Sequence, residues 1–288
     1  MRKHEASRFF FSSKLSKVGF IYPIFFAIVI SLFFVQVILL VSSYSDNTVV
    51  SLQRAFSSLT FFNLFVVSVL SGIILFGLFR YKKIKTQTAS KLLTAMFIEG
   101  GMLSILLFGK LLFISLRLES PIFLVFFAIV AYLGSYFAFL SFFDSLSRKN
   151  RNRLFVISSG SLGSFLGLLL PIPVVIIVST VLAIIDAFLI QTNLFRGFLG
   201  EAKYEKMIVE LAFSTSEWGI GIGDLIVYSI IVSSASANFG LVIGGFSLLL
   251  ILIGALVTMK LTEKQRQVPG LPIATALGLL PSIFLLVF

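Results

Sequence analysis

The chain has 288 residues, 58% hydrophobic and 12% charged, with a mean hydropathy of +1.08, so it carries more apolar surface than one soluble core could bury and must be solvated by lipid. Its formal charge of +11 lies in short clusters between apolar runs, which argues against a nucleic-acid-binding domain. There is no cysteine, and the single histidine, His4, precedes the first apolar run; thiol chemistry, a His-Glu-x-x-His zinc site and an intramembrane serine–histidine dyad are thereby excluded.

A hydrocarbon core of about 30 Å requires about 18 to 25 apolar residues per helix. Nine such runs follow in order: Gly19 to Val41, Leu59 to Phe79, Ala89 to Ile114, Pro121 to Phe143, Leu154 to Leu170, Ile172 to Asn193, Gly219 to Ala237, Phe239 to Met259 and Gly270 to Phe288. The reading is an all-α, multi-pass protein of the cell membrane. The first run is too long for a signal-peptide core and is kept as an anchor. Leu170-Pro171-Ile172-Pro173 is read as a tight join between two helices rather than a kink in one, because merging them would invert every later loop.

Of the 23 lysines and arginines, 20 fall in alternate loops on one side, two on the other, and Lys110 lies within a span. This places the N-terminus in the cytoplasm and the C-terminus outside. Three parts follow: a six-helix part, 1–193; a cytoplasmic loop, 194–218, suited to a short interfacial helix around Met207, Ile208, Val209 and Leu211; and a three-helix part, 219–288.

A carboxylate at bilayer depth costs roughly 2.5 to 3.5 kcal/mol on insertion scales and calls for an explanation. Asp186 stands about seven residues before the inner end of the sixth span, and Asp224 about six residues into the seventh. At 1.5 Å per residue both lie roughly 10 Å inside the cytoplasmic boundary, where they can meet. Two carboxyls in one site share a proton near neutral pH: one activates water while the other polarises a scissile carbonyl. Because such titrations are coupled, the sequence assigns neither role to either residue.

Gly221 and Gly223 flank this site and leave room for an extended peptide, although Gly219 and Gly223 also have the spacing of a helix-packing face. Pro269-Gly270-Leu271-Pro272 opens the ninth span at the same depth, where proline also serves as an ordinary helix start. Elsewhere, Glu99 reads as a hydrogen-bonding or water-path residue of the third span and Lys110 as a snorkelling one. Asp144 reads as a solvated boundary charge beside Arg148, Gln36 and Asn63 as interhelical hydrogen-bond formers, and Trp218 as an interfacial anchor.

Gly221-Ile222-Gly223-Asp224-Leu225-Ile226-Val227-Tyr228-Ser229 resembles the Gly-x-Gly-Asp motif of the presenilin and signal-peptide-peptidase family of intramembrane aspartyl proteases. Pro269-Gly270-Leu271-Pro272-Ile273 is similar to that family's Pro-Ala-Leu motif, and Asp186 takes the place of its first aspartate. The resemblance implies catalytic Asp186 and Asp224, substrate contacts at Gly221, Ile222, Gly223, Pro269, Gly270 and Leu271, and no metal or organic cofactor. Partners implied are transmembrane-helix substrates and lipid; a homo-oligomer is compatible with the sequence, and accessory subunits are not implied. The cytoplasmic N-terminus sides with presenilins, and the short sixth-to-seventh loop looks like compact microbial, archaeal-like members. Two departures are Ile185, where the family usually has tyrosine, and Gly270, where it has alanine. A proton- or sodium-coupled transporter is the rival from another class, and a prepilin-type aspartyl peptidase, which shares Gly-x-Gly-Asp, is a third reading.

Overall fold

The computed structural model describes residues 17–42, 86–115, 120–192, 200, 207, 210–214, 219–264 and 268–287. The second expected span, most of the 194–218 loop, Asn63 and Trp218 lie outside them. Eight long helices appear among the described residues: α1 (Lys17–Ser42), α2 (Thr86–Ser115), α3 (Ser120–Phe142), α4 (Arg148–Leu169), α5 (Ile172–Thr192), α6 (Ile222–Phe239), α7 (Leu241–Lys264) and α8 (Leu271–Val287). Strands β1 (Ala212–Ser214) and β2 (Gly219–Gly221) precede α6.

Six of the helices, α1, α2, α3, α5, α6 and α7, are long and apolar enough to cross a membrane, and the chain is a multi-pass membrane protein. The 17 described residues of α8 are also apolar, and it is shorter than those six. In α4, four basic residues occupy the first six positions and serines and glycines much of the rest. That composition suits burial among helices better than contact with lipid. Ser158, Ser159, Ser161 and Ser164 are all buried.

The centre of the molecule is α6, which packs against α1, α4, α5, α7 and α8. Small residues permit the close approach of α4 and α6: a Cβ at Gly163 would stand 2.3 Å from Ser229 Cβ, and one at Gly167 2.6 Å from the Ile230 carbonyl. With lipid as solvent, packing contact and interhelical hydrogen bonds drive such association more than hydrophobicity does. Along the α1 seam, Ser31 bonds the Ser233 hydroxyl and donates to the Ser229 carbonyl at 3.0 Å. Gln36 Nε2 donates to Ser236 Oγ at 2.7 Å, as its reading as an interhelical partner requires.

The join at Pro171 separates two helices, as expected: α4 stops at Leu169 and α5 starts at Ile172, because proline cannot donate to the preceding turn. Between α6 and α7 the chain reverses at Gly240, whose φ of 91° is open to glycine.

The start of the seventh span differs in kind from the sequence reading. The seventh span was expected to be helical from Gly219, but Gly219–Gly221 forms β2 and the helix begins at Ile222. β2 pairs antiparallel with β1, Ala212 opposite Gly221, Phe213 opposite Ile220 and Ser214 opposite Gly219. The physical reason is the alternation Gly219-Ile220-Gly221-Ile222-Gly223. Glycine disfavours the helix interior, while a period of two puts Ile220 and Ile222, both buried, on one side and the glycines on the other. Just upstream, Leu211 N–H donates to the Met207 carbonyl at 3.0 Å, and Ala212–Ser214 is extended as β1.

Candidate active site

Asp186 lies on α5, six residues before its last residue, Thr192, and is half-buried. Asp224 lies in the first turn of α6, immediately after β2, rather than deep within a helix. A carboxylate there complements the positive end of the helix dipole. The two carboxyls are within electrostatic reach of each other.

What joins them is the Pro269-Gly270-Leu271 segment at the head of α8. Leu271 N–H donates to Asp186 Oδ2 at 3.1 Å. Leu271 is the first residue of α8, so its N–H has no partner within its own helix. Asp186 therefore does for α8 what an N-cap residue normally does, from another helix. On the other side, a Cβ at Gly270 would lie 2.6 Å from Asp224 Oδ2, so that carboxylate rests against the Gly270 backbone. Tyr228 completes the connection: one turn along α6 from Asp224, its hydroxyl donates to the Gly270 carbonyl at 3.0 Å.

The other expected contact residues divide. Gly223 faces open space, with no heavy atom within 4 Å of a Cβ built on it, and a Cβ on Gly221 would stand 3.5 Å from the Asp224 carboxyl. Gly219 adjoins Ala212 and Phe213 of β1 rather than a second helix, so the helix-packing reading of Gly219 and Gly223 has no partner helix among the described residues. The side chains of Ile222 and Leu271 are buried in the core, each 6% exposed; what Leu271 brings to the site is its N–H. Pro269 is half-buried beside them. Tyr228 belonged to the motif but was not singled out; its signal was the four-residue spacing from Asp224, which puts both on one helix face.

The strands add an edge to this site. In an antiparallel pair, opposed residues alternate between exchanging both backbone bonds and pointing both groups outward. Ser214 N–H donates to Asn152 Oδ1 at 3.2 Å and its carbonyl accepts from Asn152 Nδ2 at 2.8 Å, so both groups face away from β2. Ile222 N–H donates to the Leu211 carbonyl at 3.2 Å, in the same phase. By alternation, the backbone polar groups of Gly219 and Gly221 point away from β1. Among the described residues nothing pairs with the groups of Gly219 or with the Gly221 N–H, while the Gly221 carbonyl, as the N-cap of α6, accepts the first bond of that helix.

Away from the site, Glu99 and Lys110 are exposed on α2, with Glu99 Oε2 3.4 Å from where a Gly134 Cβ would stand. Asp144, read as a solvated boundary charge, is exposed and pairs with Lys91 Nζ of α2 at 2.5 Å.

No family model and no curated protein matches the chain. Among solved structures it is similar to one described as a presenilin family intramembrane aspartate protease, with a TM-score of 0.56 and 16% sequence identity, over 94% of this chain and 98% of that one. The fold of this chain is that of a presenilin-family intramembrane aspartate protease.

Proposed function

We propose that this chain is an intramembrane aspartyl endopeptidase that hydrolyses peptide bonds within transmembrane helices of other proteins, with Asp186 and Asp224 as its catalytic pair. The observation that carries the reading is the convergence of both carboxyls on Gly270–Leu271. A water held between them is activated by the ionised member while the protonated member polarises the scissile carbonyl. Proton transfer then converts the tetrahedral intermediate into amine and acid, and the pair exchanges roles as the shared proton moves. The chemistry needs no cofactor.

A helical peptide hides its carbonyls in its own hydrogen bonds, so it must unwind before attack. The outward-pointing groups of Gly219 and the N–H of Gly221 offer replacement partners for an extended segment beside Asp224. Gly221, Gly223 and Gly270 keep the path free of side chains, with Pro269 shaping its far wall and Leu271 contributing its backbone. In this proposal the chain has nine spans, a cytoplasmic N-terminus and a place in the cell membrane, as the loop charges imply. Its substrates are helices with an external N-terminus, and the short loop suits a compact microbial relative of presenilins.

The test is direct. Purified full-length protein in detergent is given a transmembrane peptide alongside Asp186→Asn and Asp224→Asn. Cleavage by wild type and by neither variant supports the protease. Intact peptides, together with aspartate-dependent ion flux in proteoliposomes, would move the assignment to a coupled transporter.

A further inference from the structure

β1 is held from outside the sheet at both ends. Upstream, the buried Glu210 carboxylate accepts from Ser90 Oγ of α2. Downstream, the side-chain amide of Asn152, itself buried in the first turns of α4, bonds both backbone polar groups of Ser214. A carboxamide carries one donor and one acceptor in the geometry of a peptide group. Asn152 thus stands where a third strand would add to β1.

We propose that Asn152 is a positioning residue for substrate: by occupying the α4-side edge of β1 it fixes the phase of the β1–β2 pair and leaves Gly219 and Gly221 as the edge on which an extended peptide is held beside Asp224. This rests on the protease reading above. With both groups of Ser214 bonded to Asn152, this end of β1 cannot turn to offer them to a peptide, and a slip of one residue would turn the groups of Gly219 and Gly221 inward. Asn152 acts through β1 and β2 and touches neither aspartate nor substrate.

The experiment uses full-length protein in detergent with a transmembrane peptide, measuring KM, kcat, product masses and thermal unfolding. Asn152→Leu keeps the volume and removes both bonds; we expect KM to rise about tenfold and cleavage to spread over neighbouring bonds, with kcat within about twofold of wild type. Asn152→Asp retains the acceptor for Ser214 N–H and falls between, which keeps the test open where the leucine variant fails to fold. Asn150→Ala, an exposed residue in the same turn of α4, is the control. A role in folding alone lowers the amount of active protein and leaves KM and cleavage positions unchanged, and that result would overturn the proposal while the protease reading stood. A wild type that cleaves nothing removes both.

Discussion

Asp186 of α5 accepts the first N–H of α8, from Leu271, at 3.1 Å. One carboxylate therefore has two occupations, capping a helix and serving the proposed chemistry. An asparagine caps nearly as well as an aspartate, whereas alanine cannot cap. Asp186→Asn should lose activity and keep its stability. Asp186→Ala should lose activity together with about 1 kcal/mol of stability. Denaturation of the two variants side by side reads the difference; equal stabilities would mean the bond contributes nothing to holding α8.

Gly270 sits against the Asp224 carboxyl. A methyl group there would lie 2.6 Å from Asp224 Oδ2, so either the carboxyl or the start of α8 must move. Gly270→Ala is expected to lower kcat by about tenfold, the cost of a small displacement of a reacting group, with little change in KM. Steady-state kinetics on one peptide decide it, and an unaltered kcat would show that the site absorbs the methyl without displacing its aspartate.

Tyr228 holds the Gly270 carbonyl from α6. Removing its hydroxyl in Tyr228→Phe leaves the ring packed and the carbonyl short of a donor. A loss of about 1 kcal/mol in stability follows from the bond alone. Because the bond joins α6 to the head of α8, turnover should fall as well, and a variant with wild-type turnover would show that the segment is held adequately without it.

Gly254 of α7 faces the first turn of α8, where a Cβ would stand 2.5 Å from Ala274 Cα. This is backbone against backbone and cannot relax by turning a side chain. Gly254→Val should destabilise by about 1 to 3 kcal/mol through overpacking and lift α8 away from Asp186. A lower Tm with reduced turnover is the expected pair of readings; a normal Tm would mean that α7 and α8 are not clamped together at that point.

A pair of carboxyls that share one proton works only in its singly protonated state. Activity should fall at low pH, where both are protonated, and again at high pH, where both are ionised. The rate profile is therefore expected to be bell-shaped. A profile with a single limb would assign the chemistry to one titrating group and leave the other with a structural part alone.

Much of this molecule can be read without coordinates, because lipid solvation writes itself into composition residue by residue. Apolar runs match α1, α2, α3, α5 and α7 to within a few residues, and Asp186 and Asp224 stand out because ionised groups are costly at that depth. One feature resisted. The Gly-Ile alternation before Asp224 admits more than one local structure, and its partner β1 decides between them. Nothing local marks Ala212–Ser214 as a strand; Gly219–Gly221 pairs with it, and Asn152, 62 residues away, takes its outer edge. The sequence by itself determined that two carboxylates are buried in a membrane protein. Only the tertiary structure decided that they meet at Gly270–Leu271, because Asp186 must find a helix that lacks a cap and Asp224 a glycine without a side chain, and no local pattern encodes either encounter.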